Sequence, residues 1–448
     1  MRFVRRAIGG LLLAISCAAT VRAQENTFRL LHTDLEAAQV RAELIRSATT
    51  SIDTSYYWIG DDRIGAWFVS LLKDAALRGA RVRLVVDAAH NDVPAQVQRH
   101  LVACGIHIKE FHPHFTGHPS WYNRRMHDKT LIVDGRRLVV GGRNMRESHF
   151  GLARLNYVDR DAYLEGEVAR QARRYFECLW LCDEVRPTDF RPTVAQRARQ
   201  QRSELTGETS PVTRGSVCPQ EWLASGCGLT ICGQPVDCAA VSAADCARPA
   251  TCVTFVYDPC GRKGHPCGIS QQLLQLLASA RGSIVLETPY FVMSAEQKQV
   301  LAAAAARGVR VTVLTNSLAS TDHTTVTAEF HNQKHWLLER GVEIWELAGP
   351  NHLHAKSAAV DGTAAFVGSY NFDPRSQSLN TETGVIVRDA NVAAWLLDSI
   401  AEHGSRSYLF GPDGRAVADG SRQPGAPLGR VLGMQPLRLL APLVRRSL

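Results

Sequence analysis

What this 448-residue chain has little of narrows its function first. No two cysteines stand in the Cys-x2-Cys spacing of zinc ribbons and fingers. Neither sign of charge dominates: 51 Lys and Arg against 43 Asp and Glu leave a net +8. Aromatic residues make up only 7% of the chain, and no basic stripe is interleaved with them, so a nucleic-acid track is not expected. No apolar run spans a bilayer comfortably; that from Ile8 to Thr20 is too short. His112, His114 and His118 crowd together, but no acid or thiol stands at ligand spacing, so they read as a loop near a site. Hydrophobic content of 45% with 21% charged residues is that of a globular protein.

What is present is a pattern that occurs twice. His127-Asp128-Lys129 is followed by Asp134, Gly141 and Asn144; His354-Ala355-Lys356 is followed by Asp361, Gly368 and Asn371. The register is the same in both copies, His-x-Lys-x4-Asp and then Gly-x2-Asn, which makes a chance match improbable. The repeat reaches further. Ser51 to Tyr57 echoes Ser283 to Tyr290, and Arg78 to Asp87 echoes Arg307 to Asn316. A nearly constant offset means duplicated domains. Strands alternating with helices predict an α/β fold in each half, with a largely parallel sheet covered by helices on both faces. In an extended strand, residues two apart share a face, so each His and Lys can reach one phosphate.

That chemistry suits a phosphodiester, a stable anion that needs charge neutralisation, a nucleophile and an acid for the leaving alkoxide. Lys129 and Lys356 can hold the non-bridging oxygens. Asn144, Asn371 and Ser369 can add neutral donors. One histidine can attack phosphorus while the other protonates the leaving oxygen and then activates the acceptor. Such roles require two different environments. With lysines in the charge role, neither a metal nor a cofactor is expected.

These two motifs resemble those of the phospholipase D superfamily, over residues 29–411 apart from a cysteine-rich insertion. The resemblance implies two duplicated α/β/α domains forming one pseudo-symmetric unit. It implies His127 as nucleophile and His354 as acid and base, an order that near-symmetry leaves open in the sequence itself. A carboxylate should fix each imidazole tautomer. Glu382, in Asn380-Thr381-Glu382, matches the family's acidic position, with Asp159 as its first-half counterpart and Asp161 as runner-up. Asp134 and Asp361 are expected to support the motif rather than touch substrate. Within the superfamily, Asn123-Arg124-Arg125-Met126-His127, Gly141-Gly142-Arg143-Asn144 and Asn371-Phe372-Asp373-Pro374-Arg375-Ser376 are similar to bacterial cardiolipin synthases. The implied reaction is phosphatidyl transfer through a phosphohistidine, with a phospholipid substrate and peripheral contact with an anionic membrane. Hydrolytic phospholipase D, an exported phosphodiesterase acting on nucleic acid and a non-enzymatic lipid- or partner-binding module are the alternatives.

The organisation read from the sequence is a signal peptide at 1–23, a first domain at 24–190, a linker with the cysteine-rich insertion at 191–268, a second domain at 269–411 and a tail at 412–448. Arg2, Arg5 and Arg6 precede the apolar run, and Val21-Arg22-Ala23 offers a cleavage site, so an exported, periplasmic or secreted protein is expected. Twelve cysteines are present, and eight lie between Cys218 and Cys267, which in an exported chain reads as disulfides. Cys178 and Cys182 are expected on one helix face as buried thiols. Trp121-Tyr122 suits a membrane interface or core packing equally. In the tail, Pro436 and Pro442 argue against a long helix; an interfacial segment and a strap on the domain are both open.

Overall fold

Runs such as Leu84-Val85-Val86 and Val311 to Leu314 carry β-branched and leucine side chains on consecutive positions, which suits strands covered on both faces. They lie on interior strands of two large sheets. The computed structural model describes residues 26–112, 123–190, 197, 218–236, 242–244, 247–250, 252–260 and 268–445. The expected leader, most of the linker, His114, His118 and Trp121-Tyr122 lie outside these residues.

In the first half the strands are β1 (Asn26–Leu31), β2 (Ser51–Tyr56), β3 (Arg81–Asp87), β4 (Ile106–Phe111), β5 (Arg125–Met126), β6 (Lys129–Val133), β7 (Arg137–Gly141), β8 (Tyr157–Val158), β9 (Asp161–Glu165) and β10 (Val185–Pro187). Between the halves lie β11 (Thr230–Ile231), β12 (Gln234–Pro235), β13 (Arg248–Ala250) and β14 (Val253–Tyr257). The second half holds β15 (Ser283–Glu287), β16 (Arg310–Asn316), β17 (Glu343–Leu347), β18 (His352–Leu353), β19 (Ser357–Val360), β20 (Ala364–Gly368), β21 (Asn380–Thr381), β22 (Thr383–Val387) and β23 (Ser407–Phe410). The first sheet runs β10-β4-β3-β2-β6-β7-β9-β1-β13 and the second β14-β22-β20-β19-β15-β16-β17-β23. The duplicated α/β/α architecture is therefore present, but the sheets are mixed rather than largely parallel. Within these two sheets, among the described residues, only β2-β3-β4 and β15-β16-β17 run parallel. After each motif strand the chain turns back through three residues, which imposes an antiparallel partner.

The two halves end their helices by the same device. Helices Arg63–Leu77 and Ala295–Ala306 stop at Arg-Gly, where Gly79 and Gly308 take φ of 101° and 83°, a conformation that favours glycine. Each starts on a side-chain cap: Asp62 accepts from Gly65 N, and Ser294 forms a reciprocal box with Gln297. With helices Asp34–Arg46 and Ala95–Ala103, and Ile269–Ala278 and Thr324–Leu338, they cover the outer faces of the sheets. Helices Glu167–Trp180 and Ala390–Gly404 share a third apolar cluster with strands of both sheets, which joins the halves.

The segment between the halves does more than link them. β13 pairs with β1, β14 pairs with β22, and Trp222 and Leu223 enter the first core. The disulfide expected within the cysteine cluster instead leaves it: Cys182 bonds to Cys260. Cys182 is thus no buried thiol, and Cys178 is exposed. Cys218, Cys227, Cys232 and Cys252 are free and exposed, while Cys238, Cys246 and Cys267 lie outside the described residues.

The tail also departs from expectation. Leu428–Val444 is a helix with both Pro436 and Pro442 inside it. A proline at 442 removes the donor that would serve the Arg438 carbonyl, and Asn332 Nδ2 donates to that carbonyl instead, at 2.8 Å. Tertiary contact supplies what the helix lost. Among the described residues no helix is long and apolar enough to cross a membrane.

Candidate active site

Two short parallel strand pairs cross between the halves and fix the site. β5 pairs with β21, and β8 with β18. In the first crossing, His127 N donates to the Thr381 carbonyl at 3.0 Å, which brings the next residue, Glu382, to the imidazole. In the second, His354 N donates to the Val158 carbonyl at 2.7 Å and meets the next residue, Asp159. Glu382 Oε2 lies 2.8 Å from His127 Nδ1, and Asp159 Oδ2 lies 2.7 Å from His354 Nδ1. Each half therefore lends its carboxylate to the histidine of the other.

Both histidines line one cleft of about 440 Å³ between the halves, together with Asn144 and Asn371. Behind them, Lys129 Nζ donates to the His127 carbonyl at 2.8 Å, and Lys356 makes the same contact with His354. Burial pushes the Lys129 ammonium down to about 7 and that of Lys356 down to about 8, against the opposing pull of Glu382 and Asp159. Burial likewise pushes both imidazoles well below their usual range, and the lysines add to it.

The environments then diverge. Asp159 Oδ2 also accepts from His149 Nδ1 at 3.1 Å, so one carboxylate oxygen serves two imidazoles. Those imidazoles and Lys356 hold Asp159 well below the usual carboxylate range in spite of its burial. Glu382 instead receives Ser376 Oγ at 2.7 Å, Asn380 Nδ2 at 3.2 Å and the Ser369 hydroxyl. Burial raises its pKa in spite of those donors and Lys129. Among the leading influences on His354 is the anion of Asp159, whereas those on His127 all oppose its charge.

The remaining residues singled out from sequence divide clearly. Ser369, expected on the phosphate, is fully buried; its hydroxyl donates to Glu382 and accepts from Thr383 N at 3.0 Å. It stands behind the carboxylate and is not among the residues that line the cleft. Asp134 and Asp361 lie at the far ends of the motif strands, where they accept backbone N–H groups. The shortest of these bonds run from Thr50 N at 2.8 Å and from Gly282 N at 2.7 Å. Asp161 serves no histidine; it pairs with the buried Arg41 and Arg143. His112 faces Glu184 at 3.4 Å.

Sequence reading gave no role to His149, Ser376 or Asp322. His149 and Ser376 are counterparts at the motif offset, 376 − 149 = 227, the same as 354 − 127. They differ in residue type, which hid them from a search for identities. Asp322 lines the cleft and accepts from Tyr157 and Tyr290, each at 2.9 Å. Ligand atoms of His149, Asp159 and His354 lie within 4.8 Å of one another, but both imidazoles turn Nδ1 to the same oxygen, so these three groups satisfy each other.

Paired His-Lys motifs facing one cleft between two copies of an α/β domain define a phospholipase D-type enzyme. The family model described as "Cardiolipin synthase, PLD-like domain" matches residues 42–180 and 273–403, and the chain belongs to that family. It is similar to cardiolipin synthase C of Escherichia coli K12, with 28% identity over 394 residues covering 81% of each chain. It is also similar to a probable cardiolipin synthase of Bacillus subtilis 168, with 25% identity over 85% of this chain and 67% of the relative. Among solved structures, phosphatidylserine synthase of Haemophilus influenzae Rd KW20 shares the fold, with a TM-score of 0.66 and 16% identity over 95% of this chain and 98% of that one.

Proposed function

We propose that the protein is a phosphatidyltransferase of the cardiolipin synthase type, using phosphatidylglycerol or a related phospholipid as donor. The single observation that carries this reading is the crossed pairing of each imidazole with a carboxylate of the other half, above two buried lysines. His127 Nε2 attacks phosphorus and the donor's glycerol oxygen leaves, taking a proton from His354 Nε2. The phosphatidyl group is then bonded to His127. A hydroxyl of a second phosphatidylglycerol gives its proton to His354 and attacks phosphorus, and the bond to His127 breaks. The products are cardiolipin and free glycerol.

The order of roles is assigned here from the difference between the surroundings of the two histidines. A nucleophile must start neutral, and every leading influence on His127 favours its neutral form. An acid must start protonated; burial and Lys356 oppose the charge of His354, but the firmly ionised Asp159 beside it favours that charge, and no such influence stands among the leading ones on His127. Lys129 and Lys356 neutralise the phosphate oxygens, with Asn144 and Asn371 as neutral donors at the cleft wall. The basic, apolar start of the chain supports an exported enzyme.

Incubating the purified protein with phosphatidylglycerol and weighing the products by mass spectrometry tests the reading. Cardiolipin with free glycerol is the expected result. Phosphatidic acid in its place means that water takes the intermediate and the protein is a hydrolase. Absence of both products refutes lipid chemistry at this site.

A further inference from the structure

The tail helix Leu428–Val444 carries an apolar face that the described part of the molecule does not use. Met434 and Ala441 are buried against the protein body, where they join Leu318 and Ala328. At 100° per residue, Leu428, Leu432, Leu439 and Leu443 fall within about 60° of one another, on the side opposite Met434 and Ala441. Each of the four is at least 64% exposed. Isolated exposed leucines are ordinary, but four in one stripe on a single helix are not.

The position of the helix ties this stripe to the cleft. It packs along helix Thr324–Leu338, whose first turn brings Val326 to the cleft wall. Arg430 donates to the carbonyls of Leu318 and Thr321, both at 3.1 Å, one residue from the cleft-lining Asp322. Arg438 meets Asn332 at 3.0 Å and Arg445 pairs with Glu329, so three arginines hold the helix with its leucines outward. From Gly420 to Leu448 there are five arginines and no acidic residue.

We propose that this stripe is the surface by which the protein seats on an anionic phospholipid bilayer, with the cleft brought to its lipid. Apolar residues with arginines on one helix fit the plane of a headgroup interface. A second copy of the chain fits less well, because a stripe roughly 25 Å long and about 10 Å wide offers roughly 250 Å², well under the ~800 Å² per partner of a stable interface. The proposal rests on the lipid-transfer reading only for the identity of the substrate.

The test compares wild type with Leu439→Ser/Leu443→Ser, two exposed positions whose change leaves the core intact, and with Leu77→Ser as an exposed leucine elsewhere. Co-sedimentation uses vesicles of phosphatidylglycerol and phosphatidylcholine at a molar ratio of about 3:7, where each anionic headgroup attracts basic residues. The double variant is expected to bind at least about tenfold more weakly, from the loss of two buried leucines. Leu77→Ser should bind as wild type, and neutral vesicles should bind less than anionic ones. Turnover of vesicle lipid should fall in step, while turnover of water-soluble dihexanoyl phosphatidylglycerol stays unchanged. Equal vesicle binding by wild type and double variant overturns the proposal. So does a loss of short-chain turnover in the double variant, or a wild-type dimer that the double variant breaks into monomers. Vesicle binding without turnover of either lipid leaves the seating surface standing and refutes the transfer reading instead.

Discussion

Replacing Asp159 with Asn tests the proposed division of labour between the two histidines. Asp159 Oδ1 accepts from Arg160 N at 2.9 Å, while Oδ2 faces His354 Nδ1 at 2.7 Å and His149 Nδ1 at 3.1 Å. In the variant the amide oxygen keeps the backbone bond, so the NH2 group takes the place of Oδ2 and donates. Both imidazoles must then accept at Nδ1 and carry their proton on Nε2. Neutral His354 in that tautomer cannot take a proton from the acceptor hydroxyl, and its protonated form would set N–H against N–H. Loss of one general acid–base group costs about 10² to 10⁴ in rate, or roughly 3–5.5 kcal/mol of barrier. We expect a loss in kcat near the middle of that range and a smaller effect on KM, since Asn371 and the lysines are untouched while Asn144 must turn its amide to face the His149 Nε2–H, 3.3 Å away.

A donor with a good leaving group separates the steps. With a nitrophenyl ester of phosphatidic acid, departure needs no proton, so Asp159→Asn should form the covalent adduct at close to the wild-type rate. The second step still needs a base. The assay is a stopped-flow burst of about one nitrophenolate per chain followed by slow turnover, with the phosphatidyl group found on His127 by peptide mass spectrometry. A burst in Glu382→Gln and none in Asp159→Asn would reverse the assigned roles. An equal loss with both donors would refute the claim that Asp159 acts through the acid.

Other consequences follow from the same geometry. With the lysine ammoniums held down to about 7 and about 8, the cleft loses positive charge as pH rises through that window. Inorganic phosphate should bind about tenfold or more weakly at pH 9 than at pH 6.5 by titration calorimetry, and Lys129→Met should remove the lower step. A Cβ on Gly142 would stand 2.0 Å from Asp159 Oδ1, so Gly142→Ala should displace the carboxylate and cut kcat by about 10² or more with a native circular dichroism spectrum. The Cys182–Cys260 bond closes a separation of 78 residues. Chain entropy puts its contribution at up to about 4.5 kcal/mol, so Cys182→Ala/Cys260→Ala should lower the denaturant midpoint and shrink the effect of a reductant on it.

The motif residues that the fold gathers at the cleft were readable because duplication preserves register, and a repeated offset points to them without any structure. The crossing was not readable. A repeat says which residues are equivalent, but not whether a histidine takes its carboxylate from its own copy or from the other. Here the partners lie 255 and 195 residues apart, and only the cross-half strand pairs reveal it. The tail helix was hidden for a related reason: its prolines break an isolated helix, while Asn332 mends this one from another element. The positions that distinguish the halves were hidden because they are not identities. His149 and Ser376 share the register, yet one gives Asp159 a second imidazole and the other gives Glu382 a hydroxyl. Two identical copies would give two histidines of equal proton affinity, and a transfer reaction needs one of each protonation state at the start. The proposed chemistry therefore rests on repeated register for its parts and on lost symmetry for its direction, and a search for sameness finds only the first.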